Sequence, residues 1–142
     1  MNAKKFLTGT IAGGITYFIL GYLVYGLALA GFFNKHTIAT TSSMKAMNDI
    51  IWVSLILGNL AMGALLTYVF LKLGTIKSIS SGARTAAAIG FFVSLSMDLT
   101  RYATENTFDL TAMLTGVVVE TVMYAVVGGV IGAVLSMGKK QA

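Results

Sequence analysis

Apolar residues in this chain run in long unbroken blocks instead of alternating with polar ones. Residues 6–33 and 50–71 contain no Asp, Glu, Lys or Arg. Residues 85–97 are equally free of charge and continue helically through Asp98 and Arg101, while residues 110–137 hold only Glu120. Each block can form a helix of about 20 residues or more, the length that crosses a hydrocarbon core of about 30 Å. The pattern predicts an all-α protein, a four-helix transmembrane bundle forming a single integral membrane domain over 1–142. Its helices are expected at about 6–33, 46–72, 83–105 and 109–138. The short connections leave no room for a separate soluble module.

Charge fixes the expected orientation. Lys4, Lys5, Lys72, Lys77, Arg84, Lys139 and Lys140 fall on one side of the blocks, and Lys35, Lys45 and Arg101 on the other. The positive-inside rule then places both termini in the cytoplasm of a multi-pass protein of the cell (inner or plasma) membrane. It also argues against insertion both ways round. Ala28-Leu29-Ala30 resembles a signal-peptide cleavage site, but the apolar stretch before it far exceeds an h-region of about 7–15 residues, so an uncleaved first helix is expected. Residues 34–48 read as an outer loop in which a hydroxyl of Thr40, Thr41, Ser42 or Ser43 caps the second helix. Residues 74–84 read as a basic inner loop against lipid head groups. Trp52, Phe32, Phe33 and Tyr102 are placed as an outer aromatic belt.

Composition narrows the chemistry. With 56% hydrophobic and 11% charged residues and a mean hydropathy of +0.83, the chain falls far below the roughly one-quarter charged residues of a soluble domain. The net charge of +5 belongs to topology signals, so no nucleic-acid partner is expected; the bilayer is the first partner. There is no Cys, which excludes disulfides and thiolate sites, and His36 is the sole histidine. No Pro is present either, so any helix kink must come from glycine or a side chain. P-loop, GxSxG, HExxH and dinucleotide fingerprints are missing, and Ser94 and Ser96 have no histidine base. No enzyme, cofactor or metal is expected. Met44-x-x-Met47 near His36 offers a weak Cu(I) pattern of a spacing common by chance.

Small residues recur four apart, on one helix face. The first helix has Gly9, Gly13, Tyr17, Gly21 and Tyr25, and the second has Asn59, Gly63 and Thr67. The third has Ala86, Gly90, Ser94 and Asp98, and the fourth Gly116, Glu120, Tyr124, Gly128, Gly132 and Ser136. Such stripes let backbones approach closely in lipid. Gly9, Gly13, Gly21, Gly63, Gly90, Gly128 and Gly132 are therefore helix-packing candidates, mainly within the bundle. Gly128-x-x-x-Gly132 or Gly9-x-x-x-Gly13 could instead serve a second subunit in a dimer.

A charge inside a bilayer is costly and points to a role. Counting helix rise from the flanking polar residues places Glu120 about 6 Å outward of its helix centre, Asp98 about 4 Å and Arg101 about 9 Å. The same count gives Asn59 about 2 Å, Tyr22 about 3 Å and Tyr25 about 7 Å, with Tyr124 near the centre. These seven residues share one layer in the outer half and form the candidate polar cluster. Asp98, Arg101 and Glu105 lie on one face, so Arg101 can pair inward with Asp98 or outward with Glu105. In one reading the cluster is a clasp, with Arg101 neutralising Asp98 and Glu120 bonded to Asn59 or a tyrosine. In the other, Asp98 and Glu120 line a hydrated cavity open to the outside and bind a cation or a proton.

The segment GITYFILGYLVYG (residues 14–26), followed by Phe32-Phe33-Asn34-Lys35, resembles the first helix of a small prokaryotic four-helix integral membrane protein family of unknown function. Similarity extends to size, helix count and an acidic residue late in the third helix, here Asp98. The proline expected after the aromatic pair is absent, and Gly26 follows Tyr25. The resemblance implies a prokaryotic membrane protein and no activity. Two functions follow from these residues. The first is a non-enzymatic structural or accessory subunit that packs, as a dimer or within a larger membrane complex, through its small-residue stripes. The second is a minimal proton- or cation-linked transporter or channel that uses the buried carboxylates.

Overall fold

A computed structural model of the chain describes residues 2–38, 47–76 and 78–137, and these are all-helical, with one isolated bridge between Thr37 and Phe108. Helix α1 (Ala3–Gly21) starts at Asn2, whose side chain accepts a hydrogen bond from the Lys5 N–H. It continues without a break into a π-helical turn (Tyr22–Ala28) and, after Leu29, into the short α2 (Ala30–Lys35). A 3-10 turn (Met47–Asp49) precedes α3 (Trp52–Leu73). That helix stops at Gly74, whose φ of 65° is the left-handed conformation that glycine adopts without a Cβ penalty. Helix α4 (Ile79–Thr104) and helix α5 (Leu110–Met137) complete the chain.

Two boundaries differ from expectation for local reasons. Ser78 and Ser81 form a reciprocal capping box, each side chain satisfying a backbone N–H of the other, which starts α4 at Ile79 instead of at about residue 83. Helix α3 begins after Ile51 with no side-chain cap; Thr40 to Ser43 lie outside the described residues.

Three stretches are long and apolar enough to cross a membrane: Ala3–Ala28, Trp52–Leu73 and Leu110–Met137. Large apolar side chains such as Ile11, Ile15, Val53, Leu57, Val118 and Val122 point outward along them, a surface that suits lipid and not water. The chain is a membrane protein by these features.

Helix packing is pairwise. Helix α3 lies against α1, α4 lies against α5, and α1 joins the two pairs by packing on α5. Helix α5 is the most buried, and its Tyr124, Val127, Ile131 and Leu135 meet Leu66, Phe70, Ile76 and Ala86 in the core. Glycine sets both pairings. A Cβ on Gly82 would collide with the Gly128 carbonyl oxygen, and one on Gly128 with both Gly82 and Ala86. A Cβ on Gly132 would lie 2.6 Å from the Ser78 oxygen. In the other pair, a Cβ on Gly63 would sit 2.5 Å from the Thr10 carbonyl oxygen and 2.6 Å from the Gly14 nitrogen, and one on Gly9 2.6 Å from Thr67. Gly13 approaches Ile131 of α5 across the seam, where a Cβ would lie 2.7 Å from its side chain. The faces carrying Gly9, Gly13, Gly128 and Gly132 are thus covered within one chain. Gly21 makes no such approach, because nothing lies within 4 Å of a Cβ there.

Gly82→Ala should therefore destabilise the protein by about 1–3 kcal/mol through overpacking. Gly21→Ala, which adds a methyl in open space and improves helix propensity, should be neutral or slightly stabilising. Denaturant unfolding in mixed micelles compares the two; equal stability for both variants would mean that α4 and α5 are not in backbone contact.

Candidate functional site

Glu120 sits in the N-terminal half of α5, on the seam where α5 meets α1. Its Oε2 accepts a hydrogen bond from the Tyr17 hydroxyl and its Oε1 one of 2.8 Å from the Tyr25 hydroxyl. Both carboxylate oxygens are therefore met by phenol donors of the first helical stretch. Tyr17 and Tyr25 are eight residues apart, and an α-helix turning about 100° per residue would point them about 80° apart. The π turn removes that divergence. Its i→i+5 bonds, such as Leu29 N–H to the Val24 carbonyl at 2.8 Å, place an extra residue in each turn. A turn so widened advances only about 80° per residue, which returns Tyr25 close to the face of Tyr17. Tyr124, one helical turn beyond Glu120, braces the arrangement. Its buried ring rests on α4 at Gly90, where a Cβ would overlap it, and meets the Tyr17 ring edge-on at 5.6 Å and 86°.

Next to this clamp lies a cavity of about 680 Å³. The π turn and α2 form one wall, α4 the opposite wall and α5 the floor. Asp98, Arg101 and Glu105 of α4 and Glu120 of α5 bring charge to it, and Tyr25, Phe33, Tyr102 and Phe108 bring aromatic surface. Gly116 makes space for Asp98, since a Cβ there would lie 3.3 Å from Asp98 Oδ2. Arg101 makes no ion pair with Asp98 among the described residues. Its Nε lies 3.6 Å from Glu105 Oε2, in a largely exposed pair of little energetic consequence. Asp98 has no hydrogen-bond or ion-pair partner among the described residues. The lining thus carries three acids and one base, and the base is engaged by the outermost acid.

Two members of the expected layer lie elsewhere. Tyr22 is 54% exposed, because three residues in the π turn rotate it about 240° from Tyr25 and so away from the cavity. The Asn59 amide donates to the Leu55 carbonyl of its own helix at 2.6 Å. Its depth is comparable, but its amide is engaged within α3 and it does not line the cavity. Tyr17, a Glu120 ligand, is absent from the expected cluster. Depth was counted between Lys5 and Lys35, whereas the continuous span is Ala3–Ala28, whose middle falls near Tyr17. Among the described residues no group of three or more His, Asp or Glu side chains is placed to hold a metal ion. Met44 and the Met47 side chain lie outside the described residues.

A second cluster borders the cavity where α2 meets the α4–α5 connection. His36 Nδ1 and Asp109 Oδ2 lie 2.5 Å apart, the Asp109 N–H donates to the His36 carbonyl, and the Ile38 N–H donates to the Thr107 carbonyl. Phe33 and Phe108 meet edge-on at 5.9 Å beside them. The end of α2 is thereby tied to the α4–α5 connection. Asp109 also caps α5, since its Oδ1 accepts from the Ala112 N–H at 2.8 Å. The hydrogen bond with His36, helped by that of Ala112, holds the Asp109 carboxyl below the usual aspartate range.

Comparison with protein-family models, curated protein sequences and solved structures gave no match. Function is therefore argued from the geometry.

A carboxyl whose folded pKa is depressed stabilises the fold above its unfolded pKa and loses that contribution as pH falls through the folded one. Thermal stability in detergent should accordingly contain an acid-side loss starting below about pH 4 that Asp109→Asn removes. Superimposable pH profiles for wild type and Asp109→Asn would show that the His36–Asp109 tie contributes nothing.

Proposed function

We propose that the chain is a four-helix protein of the cell membrane, with α1, α3, α4 and α5 each crossing and both termini cytoplasmic. In this reading it binds a proton or a cation at Glu120 and Asp98 from the outer side, as a minimal proton- or cation-linked transporter without enzymatic activity. The observation that carries the proposal is the open cavity reaching Glu120 and lined by an unpaired Asp98. A helical clasp needs Arg101 on Asp98 and a dry carboxylate, whereas Arg101 turns to Glu105. Helix α4 supports the fourth crossing. Its 26 residues reach roughly 39 Å, and Asp98 and Arg101 face the cavity, where their charge meets polar neighbours. The seven basic residues on the terminal side support the orientation.

Proton chemistry at Glu120 has a structural consequence. As a carboxylate it accepts from both phenols; once protonated it becomes a donor through one oxygen and keeps acceptor capacity chiefly on the other. One tyrosine must then turn its hydroxyl or let go. Tyr25, on the less regular π turn and at the cavity wall, is the group placed to yield, while Tyr17 is held by Tyr124. Proton occupancy at one atom thereby alters contact between α1 and α5.

The accessory-subunit reading retains two supports: Glu120 is hydrogen-bonded to tyrosines, as a helical clasp requires, and the wide apolar surface of α3 and α4 is one that a partner helix could cover as well as lipid. Purification in mild detergent distinguishes it, because a stoichiometric larger complex would favour that role. For the transport reading, proteoliposomes under an imposed pH or Na⁺ or K⁺ gradient should show flux that Glu120→Gln reduces at least tenfold, with reconstitution yield unchanged. Wild-type protein giving no flux of protons or either cation would overturn the proposal.

A further inference from the structure

We propose that the cavity beside Glu120 takes an organic cation, an ammonium carrying apolar or aromatic substituents, with Asp98 as its counter-ion and the aromatic wall as its sleeve. This rests on the carboxylate site of the proposed function and names its substrate class.

Size, wall chemistry and charge each point the same way. A volume of about 680 Å³ falls within the range of small-molecule sites and far exceeds a monatomic ion. Tight coordination of Ca²⁺ or Mg²⁺ requires about six oxygens converging at 2–2.6 Å. The described residues bring together no group of three or more His, Asp or Glu suited to such an ion. Aromatic rings face the same space. Tyr25 and Phe33 lie 5.4 Å apart and Phe33 and Phe108 5.9 Å apart, with Tyr102 on the α4 side. Aromatic faces attract ammonium groups through the ring quadrupole and give their substituents an apolar surface. They offer little to a hydrated alkali ion.

Charge supplies the direction. Arg101 forms its ion pair with Glu105, so neither Asp98 nor Glu120 has an ion pair among the described residues. They differ in kind. Glu120 already receives two phenol hydrogen bonds, whereas Asp98 has no partner among the described residues and lies on the aromatic-lined side. An ammonium is thus expected at Asp98, leaving Glu120 to the proton. A doubly acidic, partly apolar cavity favours one positive charge at each carboxylate over two cations together.

Equilibrium dialysis of the detergent-solubilised full chain with benzyltrimethylammonium, against its neutral isostere neopentylbenzene, tests the class directly. Both are measured relative to empty micelles. The cation should bind at least tenfold more tightly than the isostere. Asp98→Asn should weaken it at least tenfold and Phe108→Leu severalfold, while millimolar NaCl or KCl should not displace it. Equal binding of the neutral isostere, or displacement by alkali ions, overturns the proposal. If Asp98→Asn does not fold, the wild-type comparison of charged and neutral ligands still decides. Flux of protons or alkali ions without benzyltrimethylammonium binding would leave the proposed function standing and remove this inference. Specific binding with no flux of any ion would do the reverse.

Discussion

A carboxylate in the N-terminal half of the most buried helix must be given hydrogen-bond donors or it destabilises the helix that carries it, and much of this structure follows from meeting that need for Glu120. Helix α5 cannot satisfy it alone, because its own backbone donors are used within the helix. The donors are two phenols from α1, and each has its own requirement. Tyr17 needs a fixed ring, which Tyr124 supplies edge-on, and Tyr124 in turn needs Gly90 on α4 to leave room for its own ring. Tyr25 needs a change in helical pitch, which the π turn supplies. One polar group thus links α5 to α1 directly and to α4 through a ring and a glycine.

That linkage falls on a seam. Packing groups α1 with α3 and α4 with α5, each pair being consecutive in sequence and drawn together by glycines at backbone distance. Between the pairs run the Gly13–Ile131 approach, the Tyr17–Tyr124 rings and the Glu120 hydrogen bonds, with the His36–Asp109 tie at the outer end. Within a pair, contact is backbone against backbone and rigid. Across the outer half of the seam it consists of side chains whose bonding depends on protonation. The cavity opens where this second kind of contact replaces the first.

Long apolar blocks made the helices legible in the sequence, and four-residue spacing made Gly63, Gly90, Gly128 and Gly132 legible as contacts. Counting rise also brought Glu120, Asp98, Arg101 and Tyr25 to one level, and all four reach the cavity. Rise gives depth and says nothing of azimuth, which is why Tyr22 and Asn59 were grouped with residues they do not meet. Azimuth itself could not be computed from a uniform 3.6-residue repeat, since the π turn resets it between Tyr17 and Tyr25. The absence of proline indicated that any irregularity in the first helix would arise from other residues, and the π turn sits among Gly21, Gly26 and Gly31. Which partner Arg101 chooses was likewise open, because i, i+3 and i+4 spacings are both sterically allowed.

The choice made by Arg101 bears on what the cavity can do. Had it turned inward, Asp98 would be neutralised and the lining would present one carboxylate already bonded to two phenols. With Arg101 paired to Glu105, Asp98 has no hydrogen bond or ion pair among the described residues and lies beside aromatic rings. A carboxylate kept accessible inside a membrane protein costs stability that burial in a pair would restore. The fold could relieve this by one rotamer change of Arg101, since both residues lie on the same face of α4. That it does not, while Glu120 on the neighbouring α5 receives two phenol hydrogen bonds, distinguishes the two acids: one is tied to α1, and the other has no ion pair among the described residues. A single helix face therefore carries both the charge that would close the site and the acid, Glu105, that draws this charge away from it.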